Sequence, residues 1–172
     1  PPIPGLADVE FFTNQTVFRT KALPPRLLVI GGGPIGVELA QAFRRLGAEV
    51  RVFEMMRALS AADPEISELV VTRLRREGIV VHENAKVVRV ERTGSGICIT
   101  ADGAGGEIVD EGTHLLVAAG RSPNIDQLGL DAAGIEHSPD GILVDAYLRT
   151  SNRKVFAIGD VAGQLYFTHV AS

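Results

Sequence analysis

The sequence predicts an α/β fold: a βαβαβ parallel sheet with an antiparallel β-meander inserted. Short, continuously apolar runs alternate with helical stretches from Leu27 to His82. The period then switches to two across "KVVRVER", "GICITAD" and "GEIVDEG", with glycine turns between them. A buried-type run returns in "HLLVAAG", His114 to Gly120.

Residues 1–25 carry prolines at both ends and little periodicity, so they read as a linker with one helical turn around Asn14 to Arg19. Leu27 to Ile30 is the first strand. Gly31, Gly32 and Gly33 form the turn, and Pro34 takes the first helical position, where a missing N–H costs nothing. Ile35, Leu39, Ala42 and Leu46 fall at helical spacing and are the expected buried face, with Gly47 as a left-handed cap. Val50 to Phe53 is the second strand. Asp63 caps a second helix whose expected apolar face is Ile66, Leu69, Val70 and Leu74, and Gly78 ends it. "IVVH", Ile79 to His82, is the third strand. In the meander, "GAGG" (Gly103 to Gly106) is a hairpin turn. A loop and short helix are expected near Ile125 to Ala133, then a last buried strand from Val155 to Ile158, ending in Gly159-Asp160.

The chain has 172 residues, of which 45% are hydrophobic, enough for one sizeable core. The net charge is −4 and no basic stripe runs along it, which argues against nucleic acid. The tightest basic group, Arg73, Arg75 and Arg76, sits at a helix end and complements the helix dipole. No apolar run approaches 18 residues and no signal peptide is visible, so a soluble cytoplasmic protein without membrane contact is expected. The single cysteine, Cys98, excludes an internal disulfide or CxxC pair, and its place in an alternating strand reads as a buried structural thiol. His82, His114, His137 and His169 make no metal-binding spacing, "TGSGI" is a turn and not a nucleophile elbow, and no GxxxxGK[ST] loop occurs.

The chemistry concentrates in "RLLVIGGGPIGVELAQAFRRLGAEVRVFE", Arg26 to Glu54. Its GxGxxG lies between a strand and a helix within a Rossmann-like βαβ unit, the context that gives this motif meaning. Gly31 permits the tight turn, Gly33 lets a pyrophosphate approach the backbone, and Gly36 lets the helix pack on the strand. Free N–H groups at the helix start would face the phosphates. Glu54 follows the second strand 18 residues after Gly36, near the usual spacing of about 20. Its carboxylate can accept both hydroxyls of an adenosine ribose and would repel a 2′-phosphate, so NAD(H) is expected over NADP(H). Arg57, three residues on, would soften that preference.

Four stretches carry a resemblance across nearly the whole chain: "LLVIGGGPIGVELA", "VRVFE", "LLVAAGRSPN" and "VFAIGDVAG". The sequence resembles the NAD-binding domain of the FAD-dependent pyridine nucleotide-disulfide oxidoreductases, the family of dihydrolipoamide dehydrogenase and mercuric reductase. The resemblance implies an FAD/NAD(P)-binding type of domain, with Gly31, Gly33, Pro34, Ile35 and Gly36 around the NAD pyrophosphate and Glu54 on the ribose. It implies Glu38 near the nicotinamide. It places Ala118, Ala119 and Gly120 in the stretch crossing between FAD and NAD domains, with Gly120 near the nucleotide. Arg121 and Asn124 would shape the turn beyond. Asp160 would hydrogen-bond the ribityl chain of FAD, and His169 lies near a segment beside the flavin. On this basis residues 1–25 are a linker from an FAD domain outside the chain, residues 26–120 the NAD-binding domain, and residues 121–172 a return segment with the last strand and the FAD-contacting Gly-Asp pair.

The family's N-terminal GxGxxG for FAD, its CxxxxC disulfide and its C-terminal dimerisation domain with a His–Glu pair have no counterpart here. "IPGL" and "THVAS" therefore read as cut points in a longer chain. No catalytic residue and no metal ligand is expected in this stretch, which alone would be inactive. The full-length protein would be a homodimer that passes hydride between NAD(H) and FAD and then electrons to a disulfide or related acceptor. Apolar surface is expected to be exposed near Gly120 and Asp160. Other readings are an NADH oxidase or ferredoxin reductase type of flavoprotein and a stand-alone NAD-sensing module; "AIGDVAG" argues against the sensor.

Overall fold

The computed structural model describes residues 1–163. The chain divides into two compact units, Pro1–Gly120 and Arg121–Ser172. His169 lies outside the described residues.

In the first unit, strand β1 (Arg26–Ile30), helix α1 (Pro34–Leu46), strand β2 (Glu49–Phe53), helix α2 (Pro64–Arg76) and strand β3 (Val80–His82) follow one another. The meander is β4 (Lys86–Thr93), β5 (Gly96–Gly103) and β6 (Gly106–Gly112), and β7 (His114–Val117) returns to the first sheet. That sheet is parallel with strand order β3-β2-β1-β7, and the meander forms a separate antiparallel sheet. The fold class is the one the sequence predicts.

Both sheet faces are covered, which explains the continuous apolar runs. Leu27, Val29, Val50, Val52 and Leu116 pack with Val37 and Ala40 of α1 and Val71 and Leu74 of α2. Alternate residues, Leu28, Ile30, Phe53 and Leu115, pack instead with Val90, Ile97, Ile99 and Ala101 of the meander. Each fully buried Val, Leu or Phe contributes about 1.5–3 kcal/mol by leaving water. Gly112 lets β6 lie against β1, because a Cβ there would sit 2.5 Å from Leu28 Cγ.

The helices form where expected, but their buried faces differ from the expected ones. In α1, Gly36, Val37 and Ala40 are buried, whereas Ala42 and Leu46 are exposed and Ile35 and Leu39 half-buried. In α2, Ser67, Val71 and Leu74 are buried, and Ile66 and Leu69 are exposed. Apolar residues ring more than one side of each helix, so spacing alone did not select the packed side. Gly36 decides it in α1 by closing onto the glycine turn. Ser67 decides it in α2, where its hydroxyl donates to the carbonyls of Asp63 and Leu59. The ends follow expectation: the Asp63 carboxylate accepts from the N–H groups of Glu65 and Ile66, and Gly47 caps α1 at φ 113°.

Glu77 joins the carboxyl ends of the two helices. It accepts from the Arg45 guanidinium twice, at 2.9 Å each, and from Arg73 at 2.6 Å. Those bonds, Arg45's first, hold its carboxyl down at about 2.

Residues 1–25 pack on the unit as well. Leu6 and Val9 join the meander-side core and Val17 the helix-side core. Phe12 donates its N–H to Leu115 and accepts from Val117, making a one-residue parallel bridge on the edge of β7. The helical turn expected around Asn14 to Arg19 is a 3₁₀ turn at Val17–Arg19.

Cys98 is half-buried and not buried. Ile97, Ile99 and Ala101 take the inward positions of β5, which turns Cys98 to the outer face opposite Glu91 and Glu111. Partial burial and those carboxylates push its thiol up.

The second unit has its own small core of Leu130, Ile135, Ile142 and Ala157. Two short strands, β8 (His137–Ser138) and β9 (Gly141–Ile142), pair antiparallel. The short helix expected near Ile125 to Ala133 is a series of turns. The strand expected at Val155–Ile158 is also absent among the described residues: Phe156 makes one bridge to Arg149, and Phe156 and Ile158 are exposed. A run that is apolar on both faces needs two covering layers, and among the described residues only the Ala157 side has one. None of the described helices is long and apolar enough to cross a membrane.

Candidate functional site

The carboxyl ends of β1, β2 and β7 open onto one crevice of about 510 Å³. It is lined by Gly31 and Gly33 after β1, Phe53 and Glu54 at β2, and Ala118, Ala119 and Gly120 after β7. The chain leaves β1 to one side for β2 and returns on the other as β7, so the crevice lies at a topological switch point, where ligands of open α/β sheets bind. A larger groove of about 680 Å³ lies at the start of β7, between Phe12, Arg92 and His114. It touches the amino end of β7 and the turn between β4 and β5, and no part of the glycine turn.

The three glycines of the motif meet different surroundings. Gly31 has φ 109°, and a Cβ on it would lie 2.5 Å from the Ala118 carbonyl oxygen. A Cβ on Gly36 would overlap the carbonyl oxygen of Gly31, so this glycine is a packing requirement. Gly33 has nothing within 4 Å of its Cβ position. It is the N-cap of α1, and Val37 N–H is the first to bond back, to the Gly33 carbonyl. The earlier N–H groups, of Ile35 and Gly36, have no helical acceptor. An anion in front of Gly33 would meet those donors and the positive end of α1.

Glu54 is held in place by backbone. Its Oε2 accepts from the Gly32 N–H at 2.7 Å and its Oε1 from the Met56 N–H at 2.9 Å. Gly32 is gripped on its other side too, since its carbonyl accepts from the Leu59 N–H. Each carboxylate oxygen keeps a second lone pair for a ligand hydroxyl.

Gly31, Gly33, Glu54, Ala119 and Gly120 thus share the crevice. Pro34 and Ile35 begin α1 beside it without lining it, and Glu38 is exposed one turn further along α1. Asp160 belongs to the second unit, in a 3₁₀ turn at Gly159–Ala162, where it pairs with Arg121 at 2.8 Å. Phe53, Met55, Ala85, Lys86 and Val87 also line the crevice and were not singled out from the sequence. Phe53 ends β2, Met55 follows Glu54, and Ala85 to Val87 lead into β4.

A family model described as pyridine nucleotide-disulphide oxidoreductase matches residues 1–172. The chain belongs to the pyridine nucleotide-disulphide oxidoreductases. Members of this family are FAD- and NAD(P)-dependent disulfide oxidoreductases. Similar relatives include mercuric reductases of Streptomyces lividans, 39% identical over 100% of this chain and 36% of the relative, and of Lysinibacillus sphaericus, 41% identical over 100% and 32%. A dihydrolipoyl dehydrogenase of Chlorobaculum tepidum is 37% identical over 99% of the chain and 37% of the relative. Among solved structures, the HOCl-induced flavoprotein disulfide reductase RclA of Escherichia coli superposes with a TM-score of 0.87 at 31% identity, covering 99% of this chain and 39% of that one. The chain spans about a third of the length of the curated relatives it matches.

Proposed function

We propose that this chain is the NAD(H)-binding portion of a flavin-dependent oxidoreductase that passes hydride between NAD(H) and FAD, with a disulfide or related acceptor in the full protein. The observation that carries the proposal is the joint placement of Gly33, the α1 amino end and Glu54 on one crevice. Bound NAD(H) and FAD supply the hydride-transfer chemistry, and the protein supplies orientation and electrostatics.

In this reading the N–H groups at the start of α1 hold the pyrophosphate. Pro34 and Ile35 flank it, and Gly36 keeps the helix close enough to reach it. Glu54 accepts the adenosine ribose hydroxyls with the lone pairs left free by Gly32 and Met56. Ala119 and Gly120 form the far wall. Glu38 faces the nicotinamide end, and Asp160, oriented by Arg121, accepts from the ribityl chain of FAD. The FAD and dimerisation domains of a longer, homodimeric, cytoplasmic protein complete the enzyme, and this chain alone has no turnover.

Calorimetric titration with NADH and NADPH tests this, with Glu54→Ala alongside. A 2′-phosphate about 4 Å from the Glu54 carboxylate would be repelled by about 1–4 kcal/mol between water-like and surface-like screening. NADH should therefore bind at least about fivefold tighter than NADPH, and Glu54→Ala should narrow the gap. Preference for NADPH in the wild type would refute the role given to Glu54. No binding of either nucleotide would refute a complete site in this chain.

A further inference from the structure

Asp110 points into the protein. Along β6, Glu107, Val109 and Glu111 face solvent, while Ile108, Asp110 and Gly112 face the parallel sheet. An acid on an inner face is tolerated only when it is paired. Asp110 has two partners: Arg51 Nη1 donates to Oδ1 at 2.6 Å, and His82 Nε2 lies 2.9 Å from Oδ2. Arg51 is on β2 and His82 ends β3, so one meander carboxylate ties two strands of the other sheet.

His82 carries that tie to the crevice by two routes. Its ring leans on Phe53, with centroids 4.9 Å apart, and its carbonyl accepts the Glu54 N–H at 2.9 Å. Phe53 and Glu54 both line the crevice. We propose that Asp110 is a positioning residue for the nucleotide site: through His82 it fixes the Phe53 ring and the Glu54 backbone, so the meander helps set how well Glu54 meets an adenosine ribose. The inference rests on the NAD(H) reading above. Holding the two sheets together does not by itself call for this acid, since Gly112 already seats β6 on Leu28.

A double-mutant cycle separates positioning from simple support. NADH fluorescence titration would be run on wild type, Asp110→Asn, Glu54→Gln and the double variant, each checked for folding by circular dichroism. Asp110→Asn should weaken NADH binding about fivefold, as residues sharing one hydrogen-bond network do. With Glu54→Gln already present, its effect should shrink below about twofold. His82→Gln keeps the Arg51–Asp110 pair and decides the matter if Asp110→Asn does not fold; it carries the same expectation. Val109→Thr, on the outer face of β6, should leave the affinity unchanged. Unaltered affinity in Asp110→Asn, or an equal loss with and without the Glu54 acid, overturns the positioning role. Absence of NADH binding by the wild type overturns the NAD(H) reading instead, and this inference falls with it.

Discussion

Gly33 and Gly36 stand three residues apart in one motif, yet alanine should act on them in opposite ways. A Cβ on Gly36 overlaps the Gly31 carbonyl oxygen, and the carbonyl carbon behind it is 3.1 Å away. Both are backbone, which cannot rotate aside. Either α1 lifts off the sheet or the glycine turn deforms. That puts Gly36→Ala at the upper end of the overpacking range, about 3 kcal/mol. For a unit of this size the midpoint Tm should fall by roughly 10 °C or more. Gly33 has φ −73° and ψ 179°, which any residue adopts, and open space at its Cβ. Alanine there loses some N-cap preference but restricts the unfolded chain, and these effects, each about 0.5–1 kcal/mol, oppose one another. Its Tm should stay within about 3 °C of wild type. Its NADH affinity should fall at least about tenfold, because the new methyl occupies the approach to the α1 amino end. Thermal unfolding by circular dichroism and NADH titration of both variants check this. A wild-type Tm for Gly36→Ala would refute the packing argument. Wild-type NADH binding by Gly33→Ala would refute the assignment of the open face to the pyrophosphate.

Glu77 titrates near 2 in the fold, below its ordinary value of 4.5, so its contribution to stability is complete above pH 4.5 and lost as pH falls toward 2. The Tm gap between wild type and Glu77→Gln should therefore be widest near neutrality and close on acidification. The raised Cys98 thiol should alkylate with iodoacetamide more slowly at pH 7 than a free cysteine does, and Glu111→Gln should speed it. Asp63→Ala removes the acceptor for two α2 N–H groups and should cost about 1 kcal/mol in urea unfolding, with the slope m unchanged.

The elements that read clearly in the sequence are those under a local constraint. Proline at the first helical position and glycine just past the end fixed α1. Period-two alternation fixed the meander, down to the turn between Gly103 and Gly106. Gly31 and Gly36 read clearly for the same reason, because a backbone turn and a close helix approach require glycine at those two positions. What could not be read depended on which neighbour arrives. Leu46, Ile66 and Leu69 keep helical spacing but sit on sides that nothing in the unit covers. Phe156 and Ile158 have the composition of a buried strand, yet among the described residues no layer covers them. Asp110 was within reach of parity: in "GEIVDEG" it shares its side with Ile108, and an acid in the apolar register of a strand is a sign of partners waiting across the gap.

The bridge from Phe12 onto β7 has a practical consequence for anyone trimming this chain. The motif invites a cut just before Arg26, where the first strand begins. Such a cut would strip Leu6, Val9 and Val17 from both cores and uncap the outer edge of β7. The bared N–H of Val117 and carbonyl of Leu115 would then offer a template to any extended peptide, including the same edge of another copy. A shortened version should be judged first by whether it stays monodisperse, and only then by what it binds.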